Sequence, residues 1–148
     1  MTQDITYRLA EIGDLEKIKG LLTRAELPVD DINTSKIDFV VATNGSSDLI
    51  GCIGLERYGS DGLLRSFAVD AAYRGKGIGY ELLHRLLSRD GKFEVHNVHL
   101  LTTTAEKFFD RYGFRVVSRE EAPASIKDTV EFSSLCPSSS TYMVLKRK

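Results

Sequence analysis

The stretch Val69-Asp70-Ala71-Ala72-Tyr73-Arg74-Gly75-Lys76-Gly77-Ile78-Gly79 governs the reading of everything around it. Before it, Leu63-Leu64-Arg65-Ser66-Phe67-Ala68-Val69 reads as a strand. After it, Leu82, Leu83, Leu86 and Leu87 recur at helical spacing, with Glu81, His84, Arg85 and Arg89 opposite. The glycines therefore lie at a strand-to-helix junction. Glycine lets a backbone turn through conformations closed to other residues and approach a ligand closely. Amide N–H groups of such a turn point inward, and the helix start adds roughly half a positive charge. Arg74, Gly75, Lys76, Gly77, Ile78 and Gly79 thus have the makings of a pyrophosphate cradle that needs few basic side chains. Arg74 and Lys76 either add a charged contact or are solvated surface charges. A Walker A loop would need Gly-Lys followed by Ser or Thr, and a dinucleotide GxGxxG fails because Glu81 and Leu82 follow the last glycine pair.

Working outward, Ile5–Leu9 alternates as a strand. Asp14 is placed as the N-cap of a helix carrying Leu15, Ile18, Leu21 and Leu22 to about Ala25, ended by Pro28 and the polar run 30–35. Phe39–Ala42 and Leu49–Leu55 read as a hairpin turned at Asn44-Gly45, and Gly59, Asp61 and Gly62 mark the next turn. Val95–Leu101 is a strand, and Thr103 or Thr104 is expected to cap a helix running to Tyr112. Phe114–Ser118 and Thr141–Leu145 are further strands, and 119–140 is read as mostly irregular. The order β-α-β-β-β-α-β-α-β-β predicts an α/β (α+β) fold, a mixed central sheet with helices on both faces.

Bulk properties narrow the function. The 148 residues fit one domain over 1–148, able to bury roughly 70% of its unfolded surface. Twenty basic and 21 acidic residues leave a net charge of −1, which argues against a nucleic-acid or anionic-membrane partner. Cys52 and Cys136 form no metal or redox spacing, and Cys52 reads as a core residue. His84, His96 and His99 have no metal-ligand spacing either, so no metal is expected. His96 and His99 fall on opposite faces of one strand. No apolar leader and no run of about 20 apolar residues is visible, so a cytoplasmic protein is expected.

Arg74, Gly77 and Gly79 match the Arg/Gln-x-x-Gly-x-Gly/Ala pattern of motif A of the GNAT N-acetyltransferases, which the chain resembles across residues 5–118. Gly113-Phe114 is similar to the pair closing that family's motif B. The resemblance implies acetyl-CoA as co-substrate, wedged in a V-shaped split between strands 63–69 and 95–101. A bulge would free the backbone of Phe67, Ala68 and Val69 for pantetheine and the oxyanion, and the pyrophosphate would lie on 75–79. Many family members carry a proton-donating tyrosine four residues before the motif-B glycine. Here that position is Phe109, expected to pack beside the thioester, while Tyr112 lies on another helix face. Two copies often pair in this family, so a homodimer is an expectation.

A closer similarity, in Leu63–Val69, Leu100–Ala105 with Phe108-Phe109, and Glu131–Pro137, is to the arsenic-resistance N-acetyltransferases, and in the first two segments to N-acetylglutamate synthases. Both imply a small α-amino acid with an acidic side chain as the amine substrate. Within that frame Glu56 is the side chain singled out as catalytic base, against the alternative of a solvent-facing strand-end carboxylate. Arg65 is singled out to fork onto a substrate carboxylate, against a surface pair. Ser66, Thr102, Thr103 and Glu131 are placed at the substrate. The rival readings are an N-acetylglutamate-synthase-like enzyme and a non-catalytic acyl-CoA-binding module.

Overall fold

A computed structural model describes residues 4–27, 29, 32, 37–88, 95–129, 132–133 and 139–147. Of the predicted helix end, Pro28 and all of 30–35 except Ile32 lie outside the described residues, as do Arg89, Glu131 and Cys136. The strands are β1 (Thr6–Leu9), β2 (Ile37–Thr43), β3 (Leu49–Tyr58), β4 (Asp61–Val69), β5 (Asn97–Thr102), β6 (Arg115–Val116) and β7 (Thr141–Lys146). The helices are α1 (Leu15–Arg24), α2 (Ile78–Leu86), α3 (Glu106–Tyr112) and α4 (Ala124–Lys127). The strands form one mixed sheet in the order β1-β2-β3-β4-β5-β7-β6. The chain divides into two compact units, residues 1–55 with 66–94, and residues 56–65 with 95–148.

In the first unit, alternation sorts the strand residues between two helices. Phe39, Val41, Cys52 and Ala68 cluster with Ile18, Leu21 and Leu22 of α1. Ala42 and Gly51, one residue out of phase, meet α2 instead. With helices on both faces, β2 and β3 read as unbroken apolar runs, as a two-sided strand must. A Cβ on Gly51 would stand 3.0 Å from Leu82 Cδ1 and 3.5 Å from Ile78 Cγ2. Glycine there lets α2 sit close to the sheet. Gly51→Val is expected to lift α2 and cost about 1–3 kcal/mol, the usual range for an overfilled core, read as a lowered denaturation midpoint with unchanged m-value.

Several local expectations are corrected. Asp14 holds the N-cap position of α1 without a side-chain cap bond to that helix. Its carboxylate serves the preceding 3-10 turn, accepting from Glu11 N–H at 2.7 Å and pairing with Arg8 at 2.8 and 3.0 Å. The Arg8 guanidinium, aided by that backbone bond, outweighs burial and holds the Asp14 carboxyl below its ordinary value. The β2–β3 turn is longer than a two-residue Asn-Gly hairpin: Ser47, not Gly45, takes the left-handed conformation (φ 67°). β3 runs three residues further than expected, so Asp61 and Gly62 belong to β4 and only Gly59-Ser60 turn.

In the second unit, β4 and β5 pair in parallel over Asp61–Leu63 and Asn97–His99. β5 pairs along its whole length with antiparallel β7. Helix α3 starts at Glu106, later than placed, because Thr102 rather than Thr103 or Thr104 accepts the Ala105 N–H, at 3.0 Å. β6 is only two residues long. Region 119–129, read as irregular, holds a 3-10 turn and α4. Ala122 and Ile126 pack there with Leu63, Phe132, Tyr142 and Val144.

Candidate functional site

The cradle belongs wholly to the first unit. Gly75 and Gly77 both adopt left-handed backbone, φ 79° and 80°, and Gly77 is the N-cap residue of α2. A side chain at either would meet nothing within 4 Å, so the demand for glycine is conformational and the loop surface is open. The opening N–H groups of α2, from Ile78 onward, have no partner inside the helix by geometry. Ile78 anchors that turn, 4% exposed, and Gly79 already lies within the helix. Lys76 is exposed, and Arg74 donates Nε–H to Val69 O at 3.2 Å, tying the loop to the end of β4.

Just upstream, Ser66 takes φ +52° in the middle of β4. That is the left-handed region for a non-glycine residue inside a strand, a local break of the kind expected from sequence. The break is held by the Cys52 thiol, which donates to Ser66 O at 3.3 Å. Burial pushes the Cys52 thiol up to about 12, so it remains a neutral donor. Beyond the break Phe67 and Val69 are half-buried and Ala68 packs into the α1 side of the core.

The second unit holds Glu56 and Arg65, and the structure brings the two together. Glu56 is not at the surface: it is 2% exposed. Arg65, expected to reach a substrate carboxylate, is equally buried and donates to Glu56 Oε1 at 2.6 Å. Tyr58 donates its hydroxyl to the other oxygen, Glu56 Oε2, at 2.5 Å. Residues 56 and 58 share a strand face by alternation, and the turn at Gly59-Ser60 brings β4 back beside them. An arginine buried in a sheet requires a countercharge, and Glu56 supplies it.

The remaining side chains divide clearly. Ser66 is 8% exposed, Thr102 is half-buried and engaged with Ala105, and Thr103 is exposed. Phe109 is a packed side chain, 4% exposed, edge-on to Phe108 and Phe114 at centroid distances of 5.2 and 5.4 Å. Tyr112 is half-buried and tilted against Phe114. His84 is exposed and stacks on Tyr80; His96 lies one residue before β5, not in the strand as expected, and is exposed, while His99 within β5 is buried. His99 lies between Tyr142 OH (2.6 Å from Nδ1) and Asp61 Oδ1 (2.8 Å from Nε2). Burial first, then the charges of Asp61 and Glu121, push the Tyr142 phenol up to about 12. A phenol that stays protonated can donate to Nδ1, which leaves Nε2–H for Asp61 and satisfies all three groups. No site role is expected from sequence for Tyr58, Asn44 or Tyr73. Only Tyr58 had a usable signal, its spacing of two from Glu56. Among the described residues no group of three or more His, Cys, Asp or Glu could hold a metal ion, and no helix is long and apolar enough to cross a membrane.

Comparison with known proteins agrees with this geometry. An amino-acid acetyltransferase of Mycobacterium tuberculosis (strain ATCC 25618 / H37Rv) is 36% identical over 81 residues, 54% of this chain. The chain spans about half the length of that curated relative, 46% of it. An N-acetylglutamate synthase from Neisseria gonorrhoeae, solved with coenzyme A and N-acetyl-glutamate, superposes with a TM-score of 0.79 at 19% identity. That match covers 100% of this chain and 36% of the other. The Rv2747 protein of Mycobacterium tuberculosis, solved with CoA, gives a TM-score of 0.73 at 25% identity, covering 97% of this chain and 99% of the other. The acetyltransferase (GNAT) domain family matches residues 35–116, more than half of the sequence and the whole of the cradle. The chain belongs to the GNAT acetyltransferases.

Proposed function

We propose that residues 1–148 form one acetyltransferase domain that moves an acetyl group from acetyl-CoA to the α-amine of a small amino acid, with glutamate-like acids as the substrate class. The observation carrying this reading is the cradle: two left-handed glycines, Gly75 and Gly77, with open space about them, leading into the N-terminus of α2. A pyrophosphate on those amides suits a protein whose net charge is only −1. The amino-acid acetyltransferase relative and the N-acetylglutamate synthase structure support an α-amino substrate. Arsenical glutamate mimics and an N-acetylglutamate-synthase-like role belong to the same substrate class.

The chemical step is attack of a neutral amine on the thioester carbonyl, with the backbone of Phe67 to Val69 beyond the Ser66 break supplying the oxyanion donor. Attack needs the neutral amine, and the α-carboxylate of a free amino acid holds its ammonium more firmly protonated than a peptide N-terminus, so the amine must shed a proton before it reacts. A thiol of pKa about 8.5 can leave as thiolate near neutral pH. Both oxygens of the Glu56 carboxylate are already engaged, so the proton shed by the amine passes to solvent water as the amide bond forms and the C–S bond breaks. Under this reading Arg65 and Glu56 act together as an internal pair, and Ser66, Thr102, Thr103 and Glu131 are left to contact the amino acid.

Thiol release from acetyl-CoA tests the proposal, run against glutamate, aspartate, glutamine, an arsenical glutamate analogue and a lysine-containing peptide. The expected result is turnover with the acidic α-amino acids, kcat/KM rising with pH as the substrate ammonium is deprotonated. Turnover confined to the peptide overturns the substrate class. CoA binding without turnover of any amine identifies a non-catalytic acyl-CoA-binding module.

A further inference from the structure

The turn between β2 and β3 makes one contact whose purpose lies outside the turn. Asn44 Oδ1 accepts the N–H groups of Ser46 at 3.0 Å and Asp48 at 2.9 Å. The main chain closes the same loop, Asn44 N–H to Asp48 O at 3.0 Å and Ser47 N–H to Asn44 O at 2.9 Å. The turn is thus fixed by Oδ1 and the backbone. Nδ2 donates outward, to Tyr73 OH at 3.0 Å and more weakly to Asp48 Oδ2 at 3.3 Å.

Tyr73 ends the 3-10 turn Ala71–Tyr73, immediately before Arg74 and the two left-handed glycines. That turn is anchored at its start. Asp70 N–H donates to Ile50 O at 2.8 Å, and its carboxylate accepts Ala72 N–H at 2.9 Å. The Tyr73 hydroxyl anchors the other end, on Asn44, 29 residues away in sequence. Downstream, Gly75 and Gly77 have no side chains and open space about them, so the loop's shape depends on how its entry is held. Amides aimed at an anion bind it well only when they are aimed before it arrives.

We propose that Asn44 is a positioning residue for the anion cradle, acting through the Tyr73 hydroxyl to fix the backbone entering Arg74–Gly77. The inference rests on the reading of that loop as the pyrophosphate site, and its test keeps the two apart. Tyr73→Phe removes only the hydroxyl. Asn44→Asp keeps the oxygen that holds the turn and removes the N–H donor. Each is compared with the parent for acetyl-CoA affinity by calorimetry and for transfer from acetyl-CoA and from acetyl-pantetheine, which has no pyrophosphate. Loss of one hydrogen bond's net contribution predicts an acetyl-CoA dissociation constant raised about three- to tenfold. kcat and the kinetics with acetyl-pantetheine should not change, and the double variant should be no worse than either single one. Parent-like CoA affinity in both variants overturns the proposal, as does an equal loss with acetyl-pantetheine, which would mark general damage. A parent that binds CoA no better than pantetheine overturns the cradle itself, whatever the variants do.

Discussion

Arg65→Ala unfolds at markedly lower denaturant than the parent, with a stability loss of about 3–5 kcal/mol, because it leaves the Glu56 carboxylate without a countercharge at 2% exposure. For a domain of this size each kcal/mol moves the midpoint temperature by about 2–4 °C, so the shift is large enough for any melting experiment. Glu56→Gln alone strands the arginine and is also destabilising. The double variant Glu56→Gln with Arg65→Met removes both charges and should recover most of the loss, since an apolar replacement of a buried ion pair is often neutral or better. A surface arginine devoted to substrate would behave differently, keeping the fold and weakening amino-acid affinity alone. Urea titrations of the four proteins decide the matter. A single Arg65→Ala variant within about 0.5 kcal/mol of the parent, the range of an ordinary surface change, rules the internal pair out.

Gly77→Glu removes CoA binding. Two effects add: a side chain forced into φ 80° strains the backbone by roughly 1–2 kcal/mol, and a carboxylate is placed where phosphate oxygens should sit. At about 4 Å near a protein surface that repulsion is of order 4 kcal/mol, so affinity should fall by about 100-fold or more. Gly77→Ala carries the strain without the charge, and Gly75→Ala should match it, because the two glycines have nearly the same φ and equally open surroundings. Calorimetry with CoA, alongside a melt to show that the protein is folded, is the measurement. A folded Gly77→Glu protein binding CoA within twofold of the parent would place the anion elsewhere.

Much of the fold was legible because it depends on near-neighbour chemistry. The Gly75–Gly79 loop lies where a strand pattern meets a helix pattern, and both patterns are strong. A bulge in strand 63–69 was expected only from family resemblance, and nothing in Arg65-Ser66-Phe67 signals the left-handed backbone that Ser66 adopts. Arg65 and Glu56 were each picked out as charged residues in apolar strands, but treated separately. Their union depends on hairpin register, and Gly59, Asp61 and Gly62 offered several places for the turn. Asn44-Gly45 misled for a similar reason: the asparagine does make the turn, but with its side chain, so glycine's freedom is not used there. The burial of His99 beside Tyr142 depends on a contact that no local pattern encodes.

The strand order β5-β7-β6 has a consequence for synthesis on the ribosome. β6 emerges at Arg115–Val116, yet the strand it pairs with, β7, begins only at Thr141. Until those later residues clear the exit tunnel, β5 is held to β4 by three residue pairs and presents its other edge open. The nascent chain must therefore carry an unpaired strand of sequence Asn-Val-His-Leu-Leu-Thr through about 40 further residues of elongation, at roughly 5–20 residues per second a wait of seconds. An apolar edge exposed for that long is a template for pairing with other chains. The interval before β7 arrives is when this protein is most in need of a chaperone.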